Sequence, residues 1–152
     1  MKPVLYIITP CFNEEEALPH TAPKLVALLE EMAQRGLIDP ASRFTLVDDG
    51  SRDKTWKVIE ALAQRYPQVE GLKLAHNAGH QNALWAGMMT VCEKADAVVT
   101  IDADLQDDVG AIPQFVEKLN EGADVVYGVR KKRETDTAFK RATAHGFYRF
   151  MR

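Results

Sequence analysis

The stretch VVTIDADLQDD, residues 98–108, decides how this chain is read. An apolar run climbs to Ile101. Asp102, Asp104, Asp107 and Asp108 then follow, with Gln106 among them. Adjacent carboxylates repel one another and are costly to bury unpaired, so a strand that ends this way needs something to face. In an extended backbone, residues two apart share a face. Asp102, Asp104 and Gln106 therefore fall on one side if strand geometry runs on. Oxygen-only ligands suit Mg²⁺ or Mn²⁺. Mg²⁺ takes one or two protein carboxylates and fills its shell with water and phosphate oxygens, so a cation here implies a phosphate-bearing substrate. The plain alternative is an acidic loop at a strand end.

The same layout recurs along the chain. VLYII (4–8) reads as a short strand closed by Thr9 and Pro10. RFTLVDD (43–49) is a second strand, EGLKLA (70–75) a weaker third, DAVVTIDAD (96–104) the fourth and ADVVYGVR (123–130) the fifth. A helix runs from about Pro19 to Gly36, with Pro19 and Pro23 expected to break or kink its start. Ser51 or Asp53 caps KTWKVIEALAQRY, where Trp56, Ile59, Leu62 and Ala63 fall at helical spacing. Further helices are expected from about His80 to Lys94 and over GAIPQFVEKLNEG (110–122). Residues 137–151 pattern as a last amphipathic helix with Phe139, Phe147, Tyr148 and Phe150 on its apolar side. This alternation over short connections, with several strands apolar enough to be buried on both faces, predicts an α/β sandwich around a mostly parallel sheet.

In such sheets ligands sit at the carboxyl ends of the strands. After the second strand, Asp48 could accept hydrogen bonds from a nucleobase or ribose, whereas Asp49 reads as turn chemistry. In TPCFNEEEA (9–17), Pro10 fixes the chain and Asn13 with Glu16 makes a near capping box. Capping leaves Glu14 unexplained, and a base or ribose contact is one use for it. HNAGHQNA (76–83) offers Asn77 and Gly79 either to a diphosphate or sugar, or to a helix start. In GVRKKRE (128–134), Arg130 to Arg133 could clamp anionic oxygens.

Bulk properties bound the class. The 152 residues are 46% hydrophobic and 27% charged, which suits one domain with a proper core. The net charge of −3 is unevenly spread. Eight Lys and Arg lie between Arg130 and Arg152, against Glu134 and Asp136, so an anionic partner is expected near that end. No aromatic platform suggests single-stranded nucleic acid. Cys11 and Cys92 have no metal or redox spacing and read as reduced, cytosolic thiols. The start carries no leader signal, and no window reaches the roughly 18 apolar residues of a membrane span.

Taken in order, PCFNEE, VDDGS, NAGHQNA, DADLQDD and GVRKKRE resemble the family 2 glycosyltransferases with a GT-A fold, in the branch of dolichol-phosphate mannose synthases and bactoprenol glucosyltransferases. The resemblance covers nearly the whole chain. It implies a Rossmann-like sandwich, a UDP- or GDP-sugar donor, a Mg²⁺ or Mn²⁺ ion and a polyprenyl-phosphate acceptor. By similarity, Pro10, Asn13, Glu14, Asp48 and Asn77 line the nucleotide, and Asp102 lies beside the nucleotide sugar. Asp104 and Gln106 hold the metal, and Arg130 with Lys131 meets the acceptor phosphate. His76 stands where relatives often carry Arg. The resemblance also implies residues 1–152 as one catalytic domain that stops before membrane-associated segments. The full-length protein would then sit at the inner face of the cell membrane, meeting it through its C-terminal region.

Two other uses of the same residues stay open: a nucleotide-sugar-binding fragment without turnover, and transfer to a hydroxyl acceptor in cell-surface polysaccharide synthesis. A hydroxyl would need a carboxylate base such as Asp107, Asp108 or Asp136. A haloacid dehalogenase-type phosphatase fits poorly, because Gln106 replaces the Thr or Val of its motif and the motif falls on the fourth strand. A receiver domain would need its acidic pair after the first strand. No Walker A or G-x-G-x-x-G motif is present.

Overall fold

The computed structural model describes residues 2–104 and 108–129. Four strands, β1 (Leu5–Cys11), β2 (Arg43–Asp48), β3 (Val69–Lys73) and β4 (Ala97–Thr100), form one sheet of order β3-β2-β1-β4, and every pairing is parallel. The helices α1 (Leu18–Gln34), α2 (Thr55–Arg65), α3 (His80–Val91) and α4 (Ile112–Asn120) connect or follow them.

The helix layers follow from connection handedness. The chain steps outward from β1 to β2 to β3, then returns across the sheet to β4 on the other side of β1. Right-handed crossovers put the outward helices on one face and the returning helix on the other. Accordingly, Leu25, Leu29 and Met32 of α1, Ile59 of α2 and Val116 of α4 share one core with Leu5, Ile7, Phe44 and Leu46 of the strands. On the opposite face, Ala83 and Val91 of α3 pack with Tyr6, Ile8 and Val47. Gly87 lets α3 approach closely, since a Cβ there would stand 2.6 Å from Ile8 Cγ2 and 2.9 Å from Val47 Cγ2.

Several expectations need correction. β1 does not stop at Ile8 but runs through Pro10 to Cys11. Proline is tolerated there because alternation turns its nitrogen toward β4, whose pairing ends at Ile8 and Thr100. α1 is continuous despite two prolines. Pro19 sits in the first turn, where backbone N–H groups have no helical partner, and Pro23 forgoes only the bond to the carbonyl of Pro19. The fourth strand is shorter than its apolar pattern, and the fifth is absent: residues 123–129 carry no strand. Val125, Tyr127 and Val129 are 81%, 79% and 72% exposed, and no described strand pairs with them. Residues 137–151 lie outside the described residues, as do Arg130, Lys131 and Gln106.

Candidate functional site at the strand ends

The return from β3 to β4 makes a topological switch point between β1 and β4, where parallel sheets leave a crevice beyond their carboxyl ends. A cleft of about 360 Å³ lies there. Pro10, Phe12 and Glu14 line it from the end of β1, and Asp102 and Asp104 from the end of β4. Asn77 and Gly79 come from the loop into α3, His80 from its first turn, and Asp49 from the position directly after β2. Of the predicted positions, Pro10, Glu14, Asn77, Asp102 and Asp104 are thus brought together.

The walls are braced by bonds between loops. Asn13 takes a left-handed backbone, φ 58°. Its N–H donates to Ser51 Oγ at 3.0 Å, and its Oδ1 accepts the N–H of Arg52 at 2.9 Å. The N–H of Glu14 donates to Thr55 Oγ1 at 2.8 Å, and that of Glu15 to Asp53 Oδ2 at 3.2 Å. Asn13 is therefore neither a helix cap nor a lining residue of the cleft. α1 starts at Leu18 with no side-chain cap. Asp53, not Ser51, steadies the start of α2, accepting the N–H of Thr55 at 2.9 Å and its hydroxyl at 2.6 Å.

The two aspartates after β2 are both buried. Asp48 is fully buried. Its Oδ1 accepts the N–H of Ser51 at 3.1 Å, while its Oδ2 is buried with no hydrogen-bond partner. It lies behind the cleft and does not line it. Asp49 is more than a turn residue. It is only 3% exposed, and its two oxygens accept the N–H groups of Ala78 (2.7 Å) and Gly79 (3.0 Å). Those amides are consequently filled by the protein's own carboxylate and are not open to a diphosphate.

The cleft is acidic. Burial raises the pKa of Glu14, and the nearby charges of Asp104, Asp53 and Asp102 raise it further. Burial, with Glu14 and Asp48 close by, also pushes the Cys11 thiol up, which leaves it inert. The one basic side chain lining the cleft among the described residues is His80, whose Nε2 stands 3.9 Å from Asp102 Oδ1. The sequence marked His80 only as the start of a helix. Its place at the first turn of α3, directly after the Asp49-clamped glycine, is the signal that would have found it. Among the described residues, no group of three or more His, Cys, Asp or Glu is poised to hold a metal by itself.

The parallel sheet with its helix layers is the fold of the GT-A glycosyltransferases. The glycosyl transferase family 2 profile matches residues 6–152, and the chain belongs to that family. It is 49% identical over 150 residues to the uncharacterized glycosyltransferase YkoT of Bacillus subtilis (strain 168), covering 99% of this chain and 44% of that protein. It is 40% identical over 143 residues to the bactoprenol glucosyl transferase of Shigella phage SfX, covering 94% and 44%. The chain thus spans less than half the length of these relatives. Among solved structures, it matches a mannosyltransferase of Pyrobaculum calidifontis in complex with GDP-Man and Mn²⁺, with TM-score 0.53 and 20% identity over 68% of this chain and 28% of that one. It matches S. aureus TarS in complex with UDP at TM-score 0.54 and 17% identity, over 87% and 40%. These structural likenesses speak for the fold.

Proposed function

We propose that the chain is the catalytic domain, residues 1–152, of a glycosyltransferase that moves a sugar from a UDP- or GDP-sugar to a polyprenyl phosphate with a divalent cation. The observation that carries this reading is the convergence of Glu14, Asp102 and Asp104 on the cleft at the β1/β4 switch point. The donor chemistry fits the ion. Three hard oxygen groups line one cleft, where burial first, and then the charges of Asp104, Asp53 and Asp102, hold Glu14 above its usual pKa. A cation there would complete its shell with substrate phosphate oxygens and water.

In this reading Asp104, with Gln106, holds Mg²⁺ or Mn²⁺, and Asp102 lies beside the nucleotide sugar. Bound there, such an ion would supply positive charge to offset that building on the leaving nucleoside diphosphate. Pro10, Glu14 and Asn77 line the nucleotide. The buried Oδ2 of Asp48, which has no hydrogen-bond partner, is the acceptor assigned to an N–H donor of the base. Arg130 and Lys131 orient the acceptor phosphate. That phosphate is already ionised at neutral pH, so placement matters more than a strong base. Attack on the anomeric carbon from the face opposite the diphosphate inverts the configuration.

The relative named bactoprenol glucosyl transferase supports a polyprenyl-phosphate acceptor, and the neighbours solved with GDP-Man and UDP support a nucleotide-sugar donor. No helix among the described residues is long and apolar enough to cross a membrane. The eight Lys and Arg from Arg130 to Arg152 are the groups assigned the contact with the inner membrane face. The test is transfer of labelled sugar from UDP- and GDP-sugars to a polyprenyl phosphate, with and without Mn²⁺. Metal-dependent transfer supports the proposal. Metal-dependent binding without transfer would restrict the chain to sugar-donor binding.

A further inference from the structure

Thr21 lies on α1, far in sequence from the acidic turn, and is buried. Its hydroxyl donates to the carbonyl of Ala103 at 2.6 Å, a bond that spans 82 residues. That carbonyl belongs to the peptide joining Ala103 to Asp104. A bond to it fixes the peptide plane, and hence the direction in which Asp104 leaves the backbone.

The surroundings show what this restraint opposes. Ile101 and Ala103 are buried, while Asp102 and Asp104 face outward. Asp104 and Glu14 line the same cleft, and like charges held together drive their segments apart. Glu14 is tied to α1, because its carbonyl accepts the N–H groups of Ala17 (3.2 Å) and Leu18 (3.1 Å). The carbonyl of Ala17 in turn accepts the N–H of Thr21 at 3.0 Å. A continuous path of bonds therefore runs from Glu14 through the first turn of α1 to Thr21, across to Ala103, and on to Asp104.

We propose that Thr21 is a positioning residue that holds Asp104 beside Glu14 against their repulsion and so presets the carboxylates for a divalent cation bound with a nucleotide. This rests on the function proposed above. Thr21 touches neither ligand. It acts as the outer-shell partners of metal ligands do, whose loss typically weakens metal affinity 10- to 100-fold.

The test titrates UDP and GDP, each with and without Mn²⁺, into the full chain and its Thr21→Val, Thr21→Ala and Thr21→Ser variants. Thr45→Val serves as a control, because Thr45 is a buried threonine on β2 whose hydroxyl has no partner. Circular dichroism melts establish that each protein is folded at the titration temperature, and Thr21→Ala covers the case in which valine does not pack. Thr21→Val and Thr21→Ala are expected to lose roughly tenfold in Mn²⁺-supported nucleotide affinity, with metal-free affinity unchanged. Thr21→Ser and Thr45→Val are expected to match the wild type. If the wild type and Thr21→Val bind equally well with Mn²⁺, the positioning role is overturned and the function proposal stands. If the wild type shows no Mn²⁺-dependent binding, the function proposal fails and the positioning role falls with it.

Discussion

Asp49 and Ala78, 29 residues apart, are joined by a carboxylate oxygen and a backbone N–H at 2.7 Å. The second oxygen takes the N–H of Gly79, and the N–H of Asp49 donates to the carbonyl of Cys11 at 2.8 Å. One nearly buried residue thus locks the end of β1 and the loop into α3 around the cleft. Removing it leaves two backbone donors short of their partner. Asp49→Ala is expected to destabilise the fold by about 2–3 kcal/mol, and Asp49→Asn, which keeps one acceptor, by about 1 kcal/mol. Urea denaturation midpoints check both.

Gly50 follows directly and permits that clamp. Its φ is +67°, and a Cβ there would stand 2.4 Å from the backbone nitrogen of Asn77. Backbone cannot yield as a flexible side chain does. Gly50→Ala is expected to cost about 1–3 kcal/mol from the left-handed conformation alone, with the clash adding to it. The same denaturation series measures it. Nucleotide affinity should fall as well, since Asn77 lines the cleft.

Thr45 gives a prediction of opposite sign. Its hydroxyl is buried without a partner, so the folded state carries an uncompensated desolvation cost. Thr45→Val replaces that hydroxyl with a methyl group of similar shape. The variant is expected to be more stable by about 1 kcal/mol, read as a higher thermal midpoint.

The strand ends were legible as sequence because each joins a buried run to polar residues. Asp102, Asp104, Glu14, Pro10 and Asn77 were placed at one edge of the sheet in this way, and they line one cleft there. What escaped was contact between segments distant in sequence. Asn13 with Arg52, Asp49 with Ala78, and Thr21 with Ala103 pair across 39, 29 and 82 residues, and no local spacing encodes such pairs. Asn13 and Glu16 carried a capping signature, but the bond to the loop after β2 won the asparagine. Residues 123–129 alternate as a strand should, yet a strand also needs a ladder partner, which a local pattern cannot supply.

Two groups near the cleft should respond to pH in opposite ways. For Asp53, burial alone would raise the carboxyl, but the Thr55 hydroxyl and the N–H groups of Thr55 and Glu15 outweigh it and hold the pKa below its ordinary 3.8. Its contribution to stability is therefore present above pH 3.8 and is lost as pH falls through the folded value. Glu14 is held above its ordinary 4.5, by burial first and then by Asp104, Asp53 and Asp102. Its contribution is present below pH 4.5 and is lost as pH rises through the folded value. Asp53→Asn is expected to be less stable than wild type at neutral pH, with the gap narrowing in acid. Glu14→Gln is expected to be more stable at neutral pH, with that gap closing as pH falls toward 4.5. Denaturation midpoints across an acid-to-neutral series decide both.

A calorimetric titration of UDP- and GDP-sugars into the wild type and Asp104→Ala, each with and without Mn²⁺, tests whether the strand-end carboxylates bind a nucleotide sugar through a cation. Tight binding of one nucleotide sugar by the wild type only when Mn²⁺ is present is predicted, with at least roughly tenfold loss in Asp104→Ala. Nucleotide-sugar binding that ignores Mn²⁺ and survives Asp104→Ala would contradict it.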